Sequence, residues 1–418
     1  MNSFNSLIAQ HGELTRRYFV RLGAGGAVLS SLAQIACTDE PRSTELQALL
    51  EELEYFTLPS EFETVERGDP LPYTLPPEQL QEAGLVRESW KLEVVADPAN
   101  DAVVENPLSN ELGTALDWNG LMSLAESKAV RYIKVMTCNN LNKPLGMGLW
   151  EGVPLREALW MARPDRNVRR VFYEGYHNRD PEQLFQSSLP IGRVLEDPPG
   201  EHPVILCYKL NGEWLTGKRG GPVRMLVPDA YGFKSIKWLK RVTLTNLPHA
   251  NDTYALKNND IDSRMKTFAR FIHAPKESPA GQPVALTGVA QVGMSGLSKV
   301  QYWLQSQEDE AWPKEDPYFT KADWKDAEVL PPPQDWGGGL PDGKLPAAVR
   351  HFDESGKPIY WPMRNSIVHW AALLEEAPPG KYLLRCRTID TLGIAQPMPR
   401  PFRKSGRNAI ERVPLAIS

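Results

Sequence analysis

The chain has 418 residues, of which 41% are hydrophobic and 24% are charged, and its formal net charge is -5 at pH 7. A chain of this length is longer than one domain with a single hydrophobic core usually is, which predicts two domains. The composition is typical of a soluble globular protein. The acidic balance argues against nucleic acid as a general partner, because phosphate binding needs a basic surface.

An adjacent arginine pair lies near the start of the chain, in the phrase TRRYFVR at residues 15–21. A mildly apolar, glycine-containing stretch follows at 22–36 and is too short and too weakly apolar for a stable membrane span. The layout resembles a twin-arginine export signal over residues 1–37 and predicts a periplasmic protein. A charged first helix is the alternative, which the glycines disfavour. Lipid anchoring at Cys37 stays open, although Gln34 stands where a lipoprotein signal prefers Leu.

The remaining chain divides into three parts by composition. Residues 38–85 join an acidic helix to proline-rich text and predict an extended arm. Residues 86–265 predict an α+β domain, since strands and helices alternate irregularly. Its predicted strands are 90–95, 131–136, 168–173, 204–210 and 235–245, its predicted helices include 117–127, and 148–162 is predicted as a turn followed by a helix.

Residues 266–418 change to apolar/polar alternation, which predicts a β-sandwich. The predicted strands are 284–292, 299–306, 382–388 and 410–417, and residues 331–344 predict a long inserted loop.

Cysteine is sparse in this chain, with residues at 37, 138, 207 and 386 and no CxxC pair. The pattern argues against a disulfide framework, a zinc knuckle or c-type haem. Cys207, inside an apolar strand, is interpreted as a buried thiol. Cys138 directly follows a predicted strand, where a lone Cys is most often a small buried hydrophobe. However, Asn139 and Lys143 give it the polar, cationic setting that stabilises a metal-binding thiolate, and a soft thiolate suits a heavier transition metal.

A basic, glycine-containing stretch begins at Lys218 and reads KRGGPVR, followed by VPDAYGFKSIKW. Its glycines, Gly220 and Gly221, allow close backbone approach. Four cations are expected to converge on one anion: Arg219, Arg224, Lys234 and Lys237. Arginine forks match phosphate and other oxyanions, while a solvated basic turn is the alternative.

Four phrases in this order are similar to the molybdopterin domain of the sulfite oxidase family: the strand and Cys138, WEGVPL at 150–155, SLPI at 188–191, and GGPVRMLVPDAYGFKSIKWL at 220–239. The resemblance implies a molybdenum-molybdopterin cofactor with Cys138 as its metal ligand and with Arg224 and Lys237 on the cofactor phosphate. It also implies an Ig-like, dimerisation-type sandwich, and hence a possible homodimer.

The departures from the family pattern lie around the substrate. Lys143 stands near the place of the family's substrate-binding Arg, and Arg219 replaces a His. His177 stands about where the family carries an acid, and Asp180 beside it is equally readable as a turn residue. Tyr254 and, more weakly, His249 lie where the family brings an aromatic hydroxyl near the metal. The remaining histidines are interpreted as surface or core residues, and Trp150 as a candidate for the pocket entrance.

The resemblance implies oxygen-atom transfer on a small oxyanion, as in a sulfite dehydrogenase. Cys138, Lys143, Arg219, His177 and Tyr254 are the candidate catalytic residues. The chain contains neither an HPGG nor a CxxCH phrase, so we expect no haem in it and an external electron carrier such as a cytochrome c. Two alternatives stay open: a sulfoxide reductase of the same family, and a cofactor-free β-sandwich scaffold.

Overall fold

The structure, a computed structural model, describes residues 40–308, 312–375 and 377–418. The predicted export signal and Cys37 lie outside the described residues. Within those ranges no helix combines the length and apolar character needed to cross a membrane.

The N-terminal arm runs across both domains. Helix α1 (Glu40–Glu51) packs Leu46 and Leu50 on the C-terminal domain. Farther along, the backbone amides of Thr57 and Glu63 donate to carbonyls of the first domain at 2.8 and 2.9 Å. A short helix α2 (Pro77–Glu82) leads into the first strand.

The first domain contains one mixed sheet, one antiparallel sheet and three α-helices, which confirms the α+β prediction. Its first sheet contains β1 (Lys91–Ala96), β2 (Leu116–Asp117), β5 (Arg170–Gly175), β6 (Gln186–Pro190) and β10 (Leu239–Thr245), in the order β2-β1-β10-β5-β6. Its second sheet contains β3 (Val130–Met136), β4 (Gly146–Pro154), β7 (Ile205–Leu210), β8 (Glu213–Trp214) and β9 (Arg224–Leu226), with β9 paired to β7.

The helices of this domain follow from local sequence. Helix α3 (Trp118–Lys128) starts where the side chain of Asp117 accepts a hydrogen bond from the Gly120 amide at 2.8 Å, an N-cap. Helix α4 (Leu155–Ala162) buries one apolar face and ends at Arg163 in the left-handed conformation. Helix α5 (Ile191–Leu195) follows β6.

Strand β3 explains how the second sheet is covered on both faces. Ile133 and Val135 pack into a cluster shared with the C-terminal domain. Tyr132 and Met136, which alternate with them, pack on the opposite face, toward the arm residue Phe62. Burial of both faces fixes the position of β3, and therefore that of Cys138, which lies just beyond the end of the strand at Met136.

The C-terminal domain is an eight-stranded sheet that folds back on itself. Its strands are β11 (Phe268–His273), β12 (Glu277–Ser278), β13 (Val284–Val292), β14 (Lys299–Ser306), β15 (Lys325–Val329), β16 (Ser366–Leu374), β17 (Gly380–Ile389) and β18 (Glu411–Ile417). Their order is β11-β13-β16-β15-β14-β17-β18-β12. Because β11 also packs on β17, the two halves enclose one apolar core, as in a sandwich. The Ig-like assignment remains a prediction.

Two of the longest strands, β4 and β16, were misread or missed from the sequence, as were several shorter ones. Residues Gly146–Pro154 form β4, so the predicted turn at the start of 148–162 is wrong, and β16 carried no predicted strand. Both are buried along nearly their full length, so neither shows the apolar/polar alternation of a half-exposed strand. The strand predicted at 235–245 begins only at Leu239.

Candidate active site

A cavity of about 300 Å³ opens where the end of β3, the basic stretch and the arm meet. One thiol, Cys138, and one imidazole, His177, reach it. Its cations come from all parts of the chain: Arg67, Arg219, Arg224, Lys237, Lys257 and Lys404. Its aromatic wall is formed by Phe62, Trp150, Phe185, Phe233, Trp238 and Tyr254.

Cys138 is half-buried in the first turn after β3. The carbonyl of the preceding residue, Thr137, accepts a hydrogen bond from the Gly232 amide at 2.8 Å. The carbonyl of Cys138 itself accepts from the Leu141 amide at 3.1 Å. The backbone on both sides of the thiol is therefore held, which fixes the place at which Cys138 lines the cavity.

Arg224 lies deep in the cavity wall without an ion-pair partner among the described residues. Its guanidinium donates to the carbonyls of Arg219 at 2.8 Å and Ser235 at 2.6 Å, and its Nε is buried with no hydrogen-bond partner. Burial lowers the pKa of Arg224 to about 10, so the group stays charged at neutral pH. A buried cation held only by carbonyl dipoles is a favourable place for an anion.

Lys237 adds a second cation beside it. Burial, followed by the neighbouring charge of Arg224, lowers the pKa of Lys237 to about 7. Its Nζ donates to Thr64 Oγ1 of the arm at 2.6 Å. Neither Lys237 nor Arg219 forms an ion pair in the described ranges, and burial lowers the pKa of Arg219 as well. An anion between these groups would relieve their mutual repulsion.

These observations fit a phosphate-bearing pterin cofactor with a thiolate-bound metal. The orphaned Nε of Arg224 and the depressed pKa of Lys237 mark a place for a bound anion. The half-buried thiol of Cys138 offers a soft ligand in the same cavity.

Tyr254 closes the cavity near the thiol. Its hydroxyl donates to Asn139 Oδ1 at 3.1 Å, and its ring stacks on Phe233 with centroids 3.6 Å apart. Burial, and secondarily the neighbouring Cys138, raises the pKa of Tyr254 to about 12. The phenol therefore stays protonated near neutral pH, and Asn139 Nδ2 is buried with no partner in the described part of the chain.

His177 lines the cavity on the side of the first sheet. Burial and then the charge of Arg67 lower the pKa of His177 to about 4. Its imidazole is therefore neutral at pH 7, and its Nδ1 is buried with no hydrogen-bond partner. Asp180, beside it, caps the turn that follows by accepting from the Glu182 amide at 2.9 Å.

Three predicted site residues lie outside the cavity. Lys143 pairs with Glu63 of the arm, with Nζ and Oε1 2.5 Å apart. Lys234 is buried in the domain core, where its Nζ donates to the Ser188 carbonyl at 2.8 Å. Gly221 packs on the backbone that follows β8, where a Cβ would lie 2.3 Å from the Leu215 carbonyl oxygen. These positions favour structural contacts; the assigned roles remain predictions.

The other predicted residues are also placed. Trp150 is buried and lines the cavity, whereas His249 is exposed and does not line it. Cys207 is buried in β7, as expected, and burial raises the pKa of its thiol to about 12.

Sequence reasoning missed the arm as part of the site. Residues 62–67 line the cavity, and Arg219 donates to the carbonyls of Phe62 and, at 3.1 Å, Glu63. The sequence predicted only that an arm covers the domain. The one available signal was the three charged residues in VERGD, which carry no periodicity.

Comparisons with known proteins agree with this geometry. Residues 86–253 match the family described as the oxidoreductase molybdopterin binding domain. The chain is 34% identical over 107 residues to an NADPH nitrate reductase of Beauveria bassiana, covering 26% of this chain and 12% of that protein. It is 31% identical over 122 residues to an NADH nitrate reductase of Volvox carteri, covering 28% of this chain and 14% of that protein. The matched stretches thus span a small part of these relatives.

A solved structure shares the overall fold. The sulfane dehydrogenase SoxCD from Paracoccus pantotrophus superposes with a TM-score of 0.52 at 17% identity, covering 78% of this chain and 76% of that one. The fold and the site define a molybdopterin-binding oxidoreductase domain. Residues 86–253 belong to that domain family, of the sulfite oxidase and nitrate reductase type. The cofactor-free scaffold alternative is accordingly set aside.

Proposed function

We propose that the protein is a molybdenum-cofactor oxidoreductase that transfers an oxygen atom to a small oxyanion, in the manner of a sulfite dehydrogenase. The observation that supports this most is the meeting of one thiol, Cys138, with six cations around a single cavity. When bound, the cofactor supplies two-electron redox chemistry, and the protein supplies position and electrostatic field.

Cys138 would hold the metal through its thiolate sulfur. Arg224 and Lys237, with Arg219 beside them, would hold the cofactor phosphate, because none of the three forms an ion pair in the described residues. Glu66 attracts Lys237 and Arg219 only as a secondary influence after burial. Arginine binds phosphate through a planar fork, whereas lysine binds it as a point charge.

The mouth of the cavity favours an anionic substrate. Arg67, Lys257 and Lys404 are exposed cations that line the cavity. Together with the three interior cations they outnumber the two carboxylates of the lining, Glu63 and Glu66. The resulting positive field raises the local concentration of small anions. Oxidation of sulfite to sulfate takes its oxygen from water and releases two electrons and two protons, so a carrier must accept the electrons. We propose an external carrier such as a cytochrome c.

Two uncharged groups would orient the substrate. His177 is neutral at pH 7, so its imidazole can accept or donate one hydrogen bond without a competing charge. Tyr254 keeps its hydroxyl proton and donates it to Asn139 Oδ1, so the hydroxyl oxygen is left as an acceptor.

A sulfoxide reductase is the second candidate, and the aromatic wall favours it. Phe185, Phe233 and Tyr254 pack together at one side of the cavity and offer an apolar surface to an organic substituent. A neutral sulfoxide would use this wall, while an inorganic oxyanion would use the cations.

We also propose that the protein is exported through the twin-arginine route and functions in the periplasm. The arginine pair at 16–17 supports this, since the route carries folded proteins that have already received a complex cofactor. Lipid anchoring at Cys37 and a homodimer formed through the C-terminal domain belong to the same set of proposals.

A paired assay tests the reaction. Protein from a host that makes the molybdenum cofactor is supplied with sulfite and oxidised cytochrome c, and separately with methionine sulfoxide or nitrate and a reduced dye. The proposal expects reduction of cytochrome c by sulfite, absent from protein made without molybdenum. Turnover of methionine sulfoxide alone favours the second candidate. A molybdenum-loaded protein that acts on none of these contradicts the proposed substrate class.

A further inference from the structure

Arg67 is an unpaired cation that the arm brings to the cavity from outside the matched domain at 86–253. Its guanidinium carbon lies 3.9 Å from the centroid of the Phe185 ring. In the described ranges it forms no ion pair, although acidic residues flank it in the sequence. A charge left free at the mouth of a cavity is available to a ligand.

The surroundings of Arg67 connect it to the reacting centre. The ring of Phe185 packs edge-on against Tyr254, with centroids 5.8 Å apart. The hydroxyl of Tyr254 donates to Asn139, the residue after Cys138. His177 lies close enough for the charge of Arg67 to contribute to its lowered pKa. Arg67 and His177 therefore lie near each other in the lining of the cavity that also contains Cys138.

The arm holds Arg67 in place from its N-terminal side. Phe62 is buried against Trp150, with ring centroids 5.7 Å apart, and Glu63 pairs with Lys143 at 2.5 Å. Arg219 donates to the carbonyls of both arm residues. Lys143 and Arg219 thereby act as anchors of the arm.

The arm is held on the C-terminal side of Arg67 as well. The side-chain amide of Asn178 donates to the Pro70 carbonyl at 2.8 Å, and the Asp69 amide donates to Gln183 Oε1 at 3.1 Å. With both flanks fixed, the backbone of Arg67 loses little freedom when a ligand binds. Preorganisation of this kind is what an anion-binding side chain needs.

We propose that Arg67 is the anion-binding residue that gives this site its preference for oxyanions over neutral oxo compounds. The inference rests on the proposed function. It assigns the guanidinium group that binds the substrate to Arg67 of the N-terminal arm. A guanidinium binds two oxygens of sulfite or sulfate at once, which an ammonium group does not.

The test uses the molybdenum-loaded protein and sulfate as the probe. Sulfate affinity is measured by titration calorimetry for the parent, Arg67→Gln and Arg67→Lys, together with molybdenum content and the kcat and KM for sulfite. The matched control is Arg87→Gln, because Arg87 also stacks on an aromatic ring, 4.6 Å from the centroid of Trp214, and does not line the cavity.

The expected result is a loss of sulfate affinity of about 10- to 100-fold for Arg67→Gln, the effect of removing a charged hydrogen-bond donor. The loss should be smaller for Arg67→Lys and absent for Arg87→Gln. The KM for sulfite should rise in parallel while kcat, the KM for methionine sulfoxide and the molybdenum content stay close to the parent.

Two outcomes overturn the inference, and they are distinguishable. If Arg67→Gln binds sulfate as the parent does while both turn over sulfite, Arg67 is not the binding residue and the proposed function stands. If the loaded parent neither binds sulfate nor oxidises sulfite, the proposed oxyanion chemistry and the inference fail together.

Discussion

The hydroxyl of Thr137, the residue before Cys138, donates a hydrogen bond to the side-chain carbonyl of Gln291 in the C-terminal domain. Both residues are buried, and Gln291 Nε2 donates in turn to the Lys266 carbonyl at 2.8 Å. The second domain therefore fixes the backbone that carries the thiol. This contact gives β13 a part in the active site that its own sequence does not reveal.

Gln291→Leu should weaken the junction between the domains. The substitution leaves the Thr137 hydroxyl and the Lys266 carbonyl buried without partners, which costs about 1–3 kcal/mol for each such group. We expect a free energy of unfolding lower by at least that amount and faster loss of molybdenum during dialysis. Chemical denaturation and metal analysis measure the two effects.

The control is Gln307→Leu, at an exposed position of the same domain. It should change the free energy of unfolding by less than about 0.5 kcal/mol. Equal effects of the two variants would mean that the contact between Gln291 and Thr137 contributes nothing specific.

Phe62→Ala should release the arm. Phe62 is 3% exposed, and its ring fills the space between Trp150 and Gly146. Truncating a buried Phe costs about 3–5 kcal/mol. We expect the loss to appear as faster trypsin cleavage at Arg67, by about 100-fold or more if arm opening limits cleavage.

Phe402→Ala is the matched control for the arm, because Phe402 is 42% exposed. Its cleavage rate at Arg67 should equal that of the parent. An unchanged rate for Phe62→Ala would show that Phe62 does not hold the arm.

Lys134→Met should flatten the dependence of stability on pH. Lys134 is fully buried, and burial lowers its pKa from the model-peptide range to about 7. Between about pH 7 and 10 the unfolded chain holds this proton and the folded chain does not, so stability rises with pH, by up to about 1.4 kcal/mol per pH unit.

Denaturation of the parent and of Lys134→Met at several pH values between 7 and 10 measures this contribution. The slope should be smaller in the variant by about 1 kcal/mol per pH unit. Identical slopes would mean that Lys134 keeps an ordinary pKa in the folded protein. The variant removes donors to the carbonyls of Val135 and Ala230, a cost that is constant with pH.

Much of the fold was predictable from local pattern. The bounds of β13 and β14 equal the alternating segments at 284–292 and 299–306. Strand β14 has one face on the core, whereas β13 is buried on both faces and keeps the alternation because Thr287 and Gln291 are polar residues on one of them. Asp117 starts α3 as its capping chemistry implies. By contrast, β4 and β16 are buried on both faces and lose the alternation on which such a prediction depends.

The same distinction applies to the site, where residues within characteristic phrases were predicted and residues brought in by tertiary packing were not. Cys138, Arg224 and Lys237 lie in phrases whose residue types indicate their chemistry, and the structure brings them to one cavity. Arg67 and Gln291 reach the site only through tertiary packing, from an arm and from another domain. Lys234 shows the opposite case: a cation within the right phrase whose side chain packs into the domain core beside Asp252, 3.5 Å away.

Lys237→Met should weaken retention of the cofactor. The substitution keeps most of the side-chain volume and removes a positive charge that forms no ion pair in the described chain. One charged hydrogen bond is worth about 1.5–3 kcal/mol, which corresponds to a cofactor loss about 10- to 100-fold faster. The molybdenum that remains after timed gel filtration measures this rate of cofactor loss.

Lys209→Met is the control, because Lys209 does not line the cavity. Equal retention of molybdenum in both variants would argue against a role for Lys237.

The central claim is that the sulfur of Cys138 binds molybdenum, and the metal content of Cys138→Ser tests it most directly. The control is Cys386→Ala, which removes a buried thiol of the C-terminal domain. Parent and control, purified from a molybdenum-competent host, should each carry about one molybdenum per chain. The X-ray absorption of the parent should show a molybdenum–sulfur distance from a protein thiolate in addition to those from the pterin. Cys138→Ser should keep the melting temperature of the cofactor-free parent and lose that distance together with turnover. A Cys138→Ser protein with full molybdenum, unchanged absorption and full turnover would contradict the account.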